Sequence, residues 1–274
     1  MNKDCTVLIS SCDKYSEAWT PFFYLFRKYW TNCPYEVVLC TESKDYNLYD
    51  VMTVNYDGNW AQRINYALKK IESKYVIFLL EDFFFQRDVN QEEVNRCIER
   101  MNNDLSIACF YFKRTTGYDE NEIFFGKYIL MAPHDEQNLY YLNCQSAIWR
   151  TDILREVCSR VKNPWEFEVE GYNRCKDLLK GLKLYCHEKS YYDILRDDDV
   201  FSYIVARKAG LGIYRSKVLW NTEKLLKEEG IPTKFKALRK MSRLECWIKE
   251  DITILIRRIE QYIKRKLFLR NANG

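Results

Sequence analysis

Glycine and proline are scarce in this 274-residue sequence, at nine and five. Disorder and low-complexity linkers are therefore not expected. No two of the eleven cysteines form a C-x-x-C pair, and no zinc-ribbon spacing occurs. The odd, scattered set, with Cys40, Cys97, Cys109 and Cys144 in strand-like or helical contexts, reads as reduced thiols of a cytosolic protein. No apolar stretch approaches the length of a membrane span. Met1–Asp4 leads into a short apolar run without the h-region of a signal peptide, so a cytoplasmic chain is expected. There is no internal repeat.

What is present is a large apolar inventory. The chain is 47% hydrophobic and 16% aromatic, enough for one large α/β domain with an appendage. The formal net charge of +4 is uneven: about the last 40 residues are strongly basic and the rest is near balance. That asymmetry points to one anionic partner surface.

Periodicity gives an order of elements. Thr6–Ser10 reads as a strand, 16–30 as a helix, Tyr35–Cys40 and Val51–Asn55 as strands, and Trp60–Glu72 as a helix opened by an Asp57-Gly58-Asn59 turn and cap. A strand follows at 74–80. Further on, helices are expected at Gln91–Met101, Asp152–Val161 and from Asn163-Pro164, where Asn163 caps and Pro164 takes the first helical position. Strands are expected at Ser106–Lys113, Ile123–Met131, Leu139–Trp149, Leu182–Cys186 and Val200–Val205, and a short helix at Asn221–Glu229. Strands alternating with helices argue a mostly parallel sheet flanked by helices. We place the main domain at 1–232. Residues 233–274 are expected to form a basic amphipathic extension, with one helix over about 235–269 carrying Leu238, Met241, Leu244, Ile248, Ile252 and Leu255 on its apolar stripe.

One stretch concentrates the chemistry. Lys74-Tyr-Val-Ile-Phe-Leu-Leu80 is apolar in the manner of a strand buried on both faces, and it ends in Glu81-Asp82. Open α/β sheets bind ligands at the carboxyl ends of their strands. Two acids there are costly to bury without a cation, a sugar hydroxyl or a metal.

With this order of motifs, 6–231 resembles the GT-A glycosyltransferases, nucleotide-sugar enzymes of bacterial capsule, lipopolysaccharide and exopolysaccharide synthesis. The resemblance rests on the loop Ser10-Ser11-Cys12-Asp13, an acid (Glu42) after the second strand, Arg63-x-Asn65, the Glu81-Asp82 pair, Gln145–Trp149 and Asn163–Glu168. It implies a Rossmann-like sheet and transfer of a sugar from a nucleotide diphosphate, with UDP as the guessed nucleotide, to a glycolipid or oligosaccharide acceptor. In its terms Ser10, Ser11, Asp13 and Glu42 hold the nucleotide, Arg63 pairs with diphosphate or with Asp82, and Glu81 meets the ribose or donor sugar. Asp82 would bind a divalent cation, Mg²⁺ or Mn²⁺, although Phe83 stands where the family's Asp-x-Asp motif ends. His187 follows a strand in a region that can supply another ligand. Arg215 or Lys217, in a loop that is often mobile, would clamp the diphosphate. Trp149 and Trp165 would stack on acceptor sugar.

An inverting transfer needs a base beside the acceptor hydroxyl. Glu166 and Glu168, in the first turn of the Asn163-capped helix, are its candidates, with Asp198 and Asp199 in reserve. The competing functions are a sugar-phosphate nucleotidyltransferase, against which stands the lack of a Gly-rich, Lys/Arg-containing loop after the first strand, and a non-catalytic carbohydrate- or nucleotide-binding module. The basic C-terminal stripe is expected to meet an anionic membrane surface on the inner face of the cell membrane, or a second copy of the chain in a homodimer. It does not resemble a nucleic-acid module.

Overall fold

The computed structural model describes residues 3–115, 124–133, 140–191, 194–204, 209–231, 235–249 and 252. Among them the chain builds a nine-stranded mixed sheet in the order β3-β2-β1-β4-β8-β5-β9-β7-β6. Its strands are β1 (Cys5–Ser10), β2 (Glu36–Thr41), β3 (Met52–Asn55), β4 (Tyr75–Leu80), β5 (Ile107–Tyr111), β6 (Phe124–Phe125), β7 (Tyr128–Leu130), β8 (Ala147–Arg150) and β9 (Lys183–His187). Only β7 and β8 run against the others. This is the mostly parallel α/β sheet expected from the sequence.

The central strands are mostly apolar because both faces are covered. Val7, Ile9, Ile77 and Leu79 join one core cluster, with Phe22, Phe23 and Phe26 of α1 (Ser16–Tyr29) and Val94 of α3 (Gln91–Asn103). Leu8, Val76 and Phe78 join the other, with Ile64 and Leu68 of α2 (Trp60–Lys70) and Leu154 and Val157 of α4 (Thr151–Ser159). Neighbours in sequence thus feed opposite layers, as a period of two requires. The expected Asn59 cap is present as a full capping box with Gln62. The Asn163 side chain likewise accepts from the Glu166 N–H at the start of α5 (Pro164–Val169).

Four expectations are corrected. Residues 140–146 are irregular, and the strand begins only at Ala147. The Asn143 side chain accepts from the Gln145 N–H, a local bond that competes with a ladder. Residues 200–204 form no strand: the carbonyls of Val200 and Ser202 accept from Asn90 and Gln86 instead, so the segment crosses the sheet's end as an apolar plug. A helix absent from the sequence reading, α6 (Gly171–Leu179), follows α5.

The fourth lies at the C-terminal side. The expected loop 214–220 is a hairpin of β10 (Ile213–Tyr214) and β11 (Lys217–Leu219). Beyond it come α7 (Thr222–Glu228) and then β12 (Arg239–Met241), which pairs in parallel with β11. Residues 235–241 are therefore not helical, and Phe235 and Leu238 are buried in the main core. A helix does run over 243–249, and its Leu244, Trp247 and Ile248 are exposed, as is Ile252. The rest of the expected helix lies outside the described residues.

Candidate active site

Because β1, β2, β4, β5 and β9 point the same way, their carboxyl ends meet at one edge, where the antiparallel β8 begins. That edge gathers Ser10-Ser11, Glu42, Glu81-Asp82, Lys113, His187 and the Gln145-Ser146 approach to β8. No bend in the chain is needed to bring the polar groups together.

Glu81 and Asp82 close β4. Burial, and then the charge of Asp82, raises the Glu81 carboxyl well above the usual range, while a bond with the Ser11 side chain works the other way. Burial also lifts Asp82, to about 7. One Asp82 oxygen, Oδ1, is buried with no hydrogen-bonding partner. A buried acceptor left unmade costs about 1–3 kcal/mol, more when charged, so it is a position waiting for a donor or a cation. The next residue, Phe83, stacks on Tyr203 at a centroid separation of 4.1 Å. The Tyr15 phenol lies within electrostatic reach of both acids, and its hydroxyl is 3.2 Å from Ser216 Oγ.

The first two loops are tied to one another. Glu42 accepts from the Asp13 N–H and pairs with Arg63 at 2.9 Å. Arg63 also donates to the Gly58 carbonyl at 2.8 Å. Its salt-bridge partner is therefore Glu42, not Asp82. The Asp13 carboxylate accepts from Ser43 N–H and Oγ and from Lys44 N–H. Ser10 Oγ accepts from Trp60 Nε1 at 3.0 Å, and Ser11 Oγ from Trp19 Nε1 at 2.7 Å.

Behind the acid pair lies a group that the sequence reading missed. Lys113 is completely buried, 3.2 Å from Asp199 Oδ2 and 4.8 Å from the centre of the Tyr203 ring. Asp199 also accepts from the Ser190 hydroxyl and the Arg196 N–H. The Tyr203 hydroxyl, 3.0 Å from the Gln145 and Ser146 side chains, ties this group to the start of β8. Asp199, a reserve base, is thus spent as a buried counter-ion. His187 is buried as well: Nδ1 accepts from the Lys189 and Ser190 N–H groups, Nε2 has no partner, and burial lowers the ring to about 4. It is neutral at ordinary pH. Asp198 is half-buried and acts on it electrostatically. The signal for Lys113 was legible: it ends an apolar strand run as Glu81-Asp82 does.

The α5 helix separates the two candidate bases. Glu166 is spent on structure, accepting from the Lys162 N–H at 3.0 Å and pairing with Arg174 at 3.3 Å. Glu168, half-buried, accepts from the Cys144 N–H at 3.1 Å and from no other donor among the described residues; burial raises its carboxyl. Phe167 between them packs edge-on against Trp60, which bonds Ser10, so α5 is anchored to the β1 end. Trp165 is 65% exposed and open to a ligand. Trp149 is not: it is 1% exposed, within β8, edge-on to Tyr111, and belongs to the core. Lys217 pairs with Glu245. Among the described residues no three His, Cys, Asp or Glu side chains converge as a ready-made metal cage.

No family model matches the sequence, and no curated protein matches it. Some solved structures align with it loosely. TarS of S. aureus (residues 1–349) is 13% identical over 85% of this chain and 67% of its own, with a TM-score of 0.44. A cytidylyltransferase from Leptospira borgpetersenii is 13% identical over 85% and 99%, with a TM-score of 0.43. The bifunctional IspDF of Campylobacter jejuni is 12% identical over 68% of this chain, with a TM-score of 0.41, and the chain spans 50% of its length. Identities and TM-scores at this level fall short of shared family membership.

Proposed function

We propose that this protein is a glycosyltransferase that moves a sugar from a nucleotide diphosphate, with UDP as the first nucleotide to try, to a glycolipid or oligosaccharide acceptor. The observation that carries the reading is the buried Glu81-Asp82 pair at the carboxyl end of β4, with Asp82 Oδ1 unpartnered. That oxygen suits Mg²⁺ or Mn²⁺, which would neutralise charge on a departing diphosphate. With only one or two carboxylates on offer, the remaining ligands would be diphosphate oxygens and water. Glu81 then faces the donor sugar or ribose.

Glu168 is the base in this reading. It is half-buried, accepts one backbone N–H and has its carboxyl raised by burial, whereas Glu166 is held by Lys162 and Arg174. A raised pKa makes a carboxylate a stronger base than an ordinary exposed one. Trp165 offers an exposed ring for an acceptor sugar. A nucleotidyltransferase is less well supported, since the 11–15 loop after β1 carries one Lys and no Gly. The test is a panel of nucleotide sugars assayed for transfer and for nucleotide release, against pyrophosphate formation from nucleoside triphosphate and sugar phosphate. Pyrophosphate formation without sugar transfer would replace this reading with the other.

The exposed Leu244, Trp247, Ile248 and Ile252, followed by the basic sequence to residue 274, support an anionic membrane surface as the place of work. No helix among the described residues is long and apolar enough to cross a membrane. Truncation after residue 249, which spares β12 and its packing, should abolish salt-sensitive binding to anionic vesicles; retained binding would remove the membrane from the proposal.

A further inference from the structure

A cavity of about 400 Å³ has none of Ser10, Ser11, Glu42, Arg63, Glu81 or Asp82 in its lining, although it takes in Asp13, Arg215 and Lys217, which the sequence had offered for the donor. Four pieces of chain enclose it. The loops after β1 and β2 contribute Asp13, Lys14, Ser16 and Lys44. The β10–β11 hairpin contributes Arg215, Ser216 and Lys217, and the start of β12 contributes Arg239. Five cationic side chains therefore face one lining carboxylate.

The one carboxylate is already used. Burial works against the charge of Asp13, but bonds from Ser43 and Lys44 outweigh it and hold the group below the usual carboxylate range. Lys44 Nζ reaches the Asp13 carbonyl and Ser16 Oγ, and Lys217 is bound by Glu245 from outside the lining. Lys14, Arg215 and Arg239 are exposed. The hairpin turn is also unusual: Arg215 and Ser216 both take left-handed backbone, at φ 48 and 60, where Asn-Gly would be the easy choice. The strain holds an Arg and a hydroxyl at the cavity wall. Ser216 is further fixed by Tyr15, which lies between the cavity and the acids.

We propose that this cavity is a phosphate-binding site separate from the acid pair, taking the phosphate ester of a second ligand. Guanidinium and ammonium groups joined by Ser16 and Ser216 hydroxyls are the donor set that a tetrahedral oxyanion needs. The volume admits a phosphate and part of what carries it. The phosphate can be carried by a soluble ester or by a lipid headgroup. The exposed apolar residues of 243–249 sit on the helix whose Glu245 binds Lys217, so a lipid-borne phosphate would find an apolar surface alongside.

The test uses the full-length chain, with Lys14→Ala and Arg239→Ala singly and together. Both positions are exposed and outside the proposed donor site. Pyrophosphate is titrated calorimetrically, alone and with UDP present. Vesicles of phosphatidylcholine with phosphatidic acid form the second arm, compared with phosphatidylcholine alone. The double variant is expected to weaken binding tenfold or more in at least one arm with UDP affinity unchanged. Loss in the pyrophosphate arm identifies a soluble ester, and loss in the vesicle arm alone a lipid-borne one. Unchanged binding in both arms overturns the proposal, and so does a parallel loss of UDP affinity, which would make the cavity part of the donor site. If wild-type protein ignores UDP but binds pyrophosphate through these residues, the donor reading fails and the cavity stands.

Discussion

Replacing Lys113 with Met leaves Asp199 buried without its cation. Both side chains are fully buried in the native protein, 3.2 Å apart. Breaking a buried pair from one side typically costs 3–5 kcal/mol, because the remaining charge has neither water nor partner. Here Asp199 keeps the Ser190 hydroxyl and the Arg196 N–H, which places the loss near the lower end, at about 3 kcal/mol. Against a total stability of about 5–15 kcal/mol, that is a fifth or more of the whole. The measurement is urea denaturation followed by tryptophan fluorescence, comparing midpoints at constant slope. Adding Asp199→Asn to Lys113→Met removes the stranded charge but keeps an acceptor for Ser190 and Arg196. It is expected to recover at least about half of the loss, giving a coupling of roughly 1.5 kcal/mol or more. A single-variant loss below about 1 kcal/mol, or a double variant less stable than Lys113→Met, would refute the view that Asp199 is a structural counter-ion.

The remaining predictions concern the acceptor side. Glu168→Gln is expected to lower kcat by about 10²–10⁴ with donor affinity unchanged, while Glu166→Gln changes kcat little; a steady-state comparison of the two decides. As pH falls through the raised Glu168 pKa the base gains its proton, so kcat should fall on the acid side, and that limb should vanish in Glu168→Gln. Trp149→Ala removes a core ring and should cost about 3–5 kcal/mol in denaturation, whereas Trp165→Ala should leave stability within about 0.5 kcal/mol and raise the acceptor KM.

The strands and the acid pair were legible because a parallel sheet writes itself plainly: β4 is apolar at every position and β1 at all but Thr6 and its last residue, and the polar residues that end them fall at one edge. The capped helices were legible for the same local reason, since Asn59 and Asn163 act on donors three residues away. What failed depended on distant partners. Residues 200–204 have the composition of a strand, but their carbonyls are taken by the 86–90 loop. Leu238 and Met241 fit a helical stripe equally well, and only β11, 22 residues earlier, draws Arg239–Met241 into a strand. Trp149 and Trp165 look alike in sequence and differ in whether a sheet or solvent covers them. The pairing of Arg63 with Glu42 likewise follows from how the β2 end packs on α2, which no local pattern records.

The central claim is that the end of β4 is a nucleotide-diphosphate site served by Asp82. Calorimetric titration of the full-length protein with UDP, in Mn²⁺ and in EDTA, tests it most directly. The account predicts binding that is tighter in Mn²⁺ and weakened at least tenfold in a folded Asp82→Asn variant, with the Mn²⁺ dependence gone. Equal UDP affinity in wild type and Asp82→Asn, with or without the metal, would contradict it.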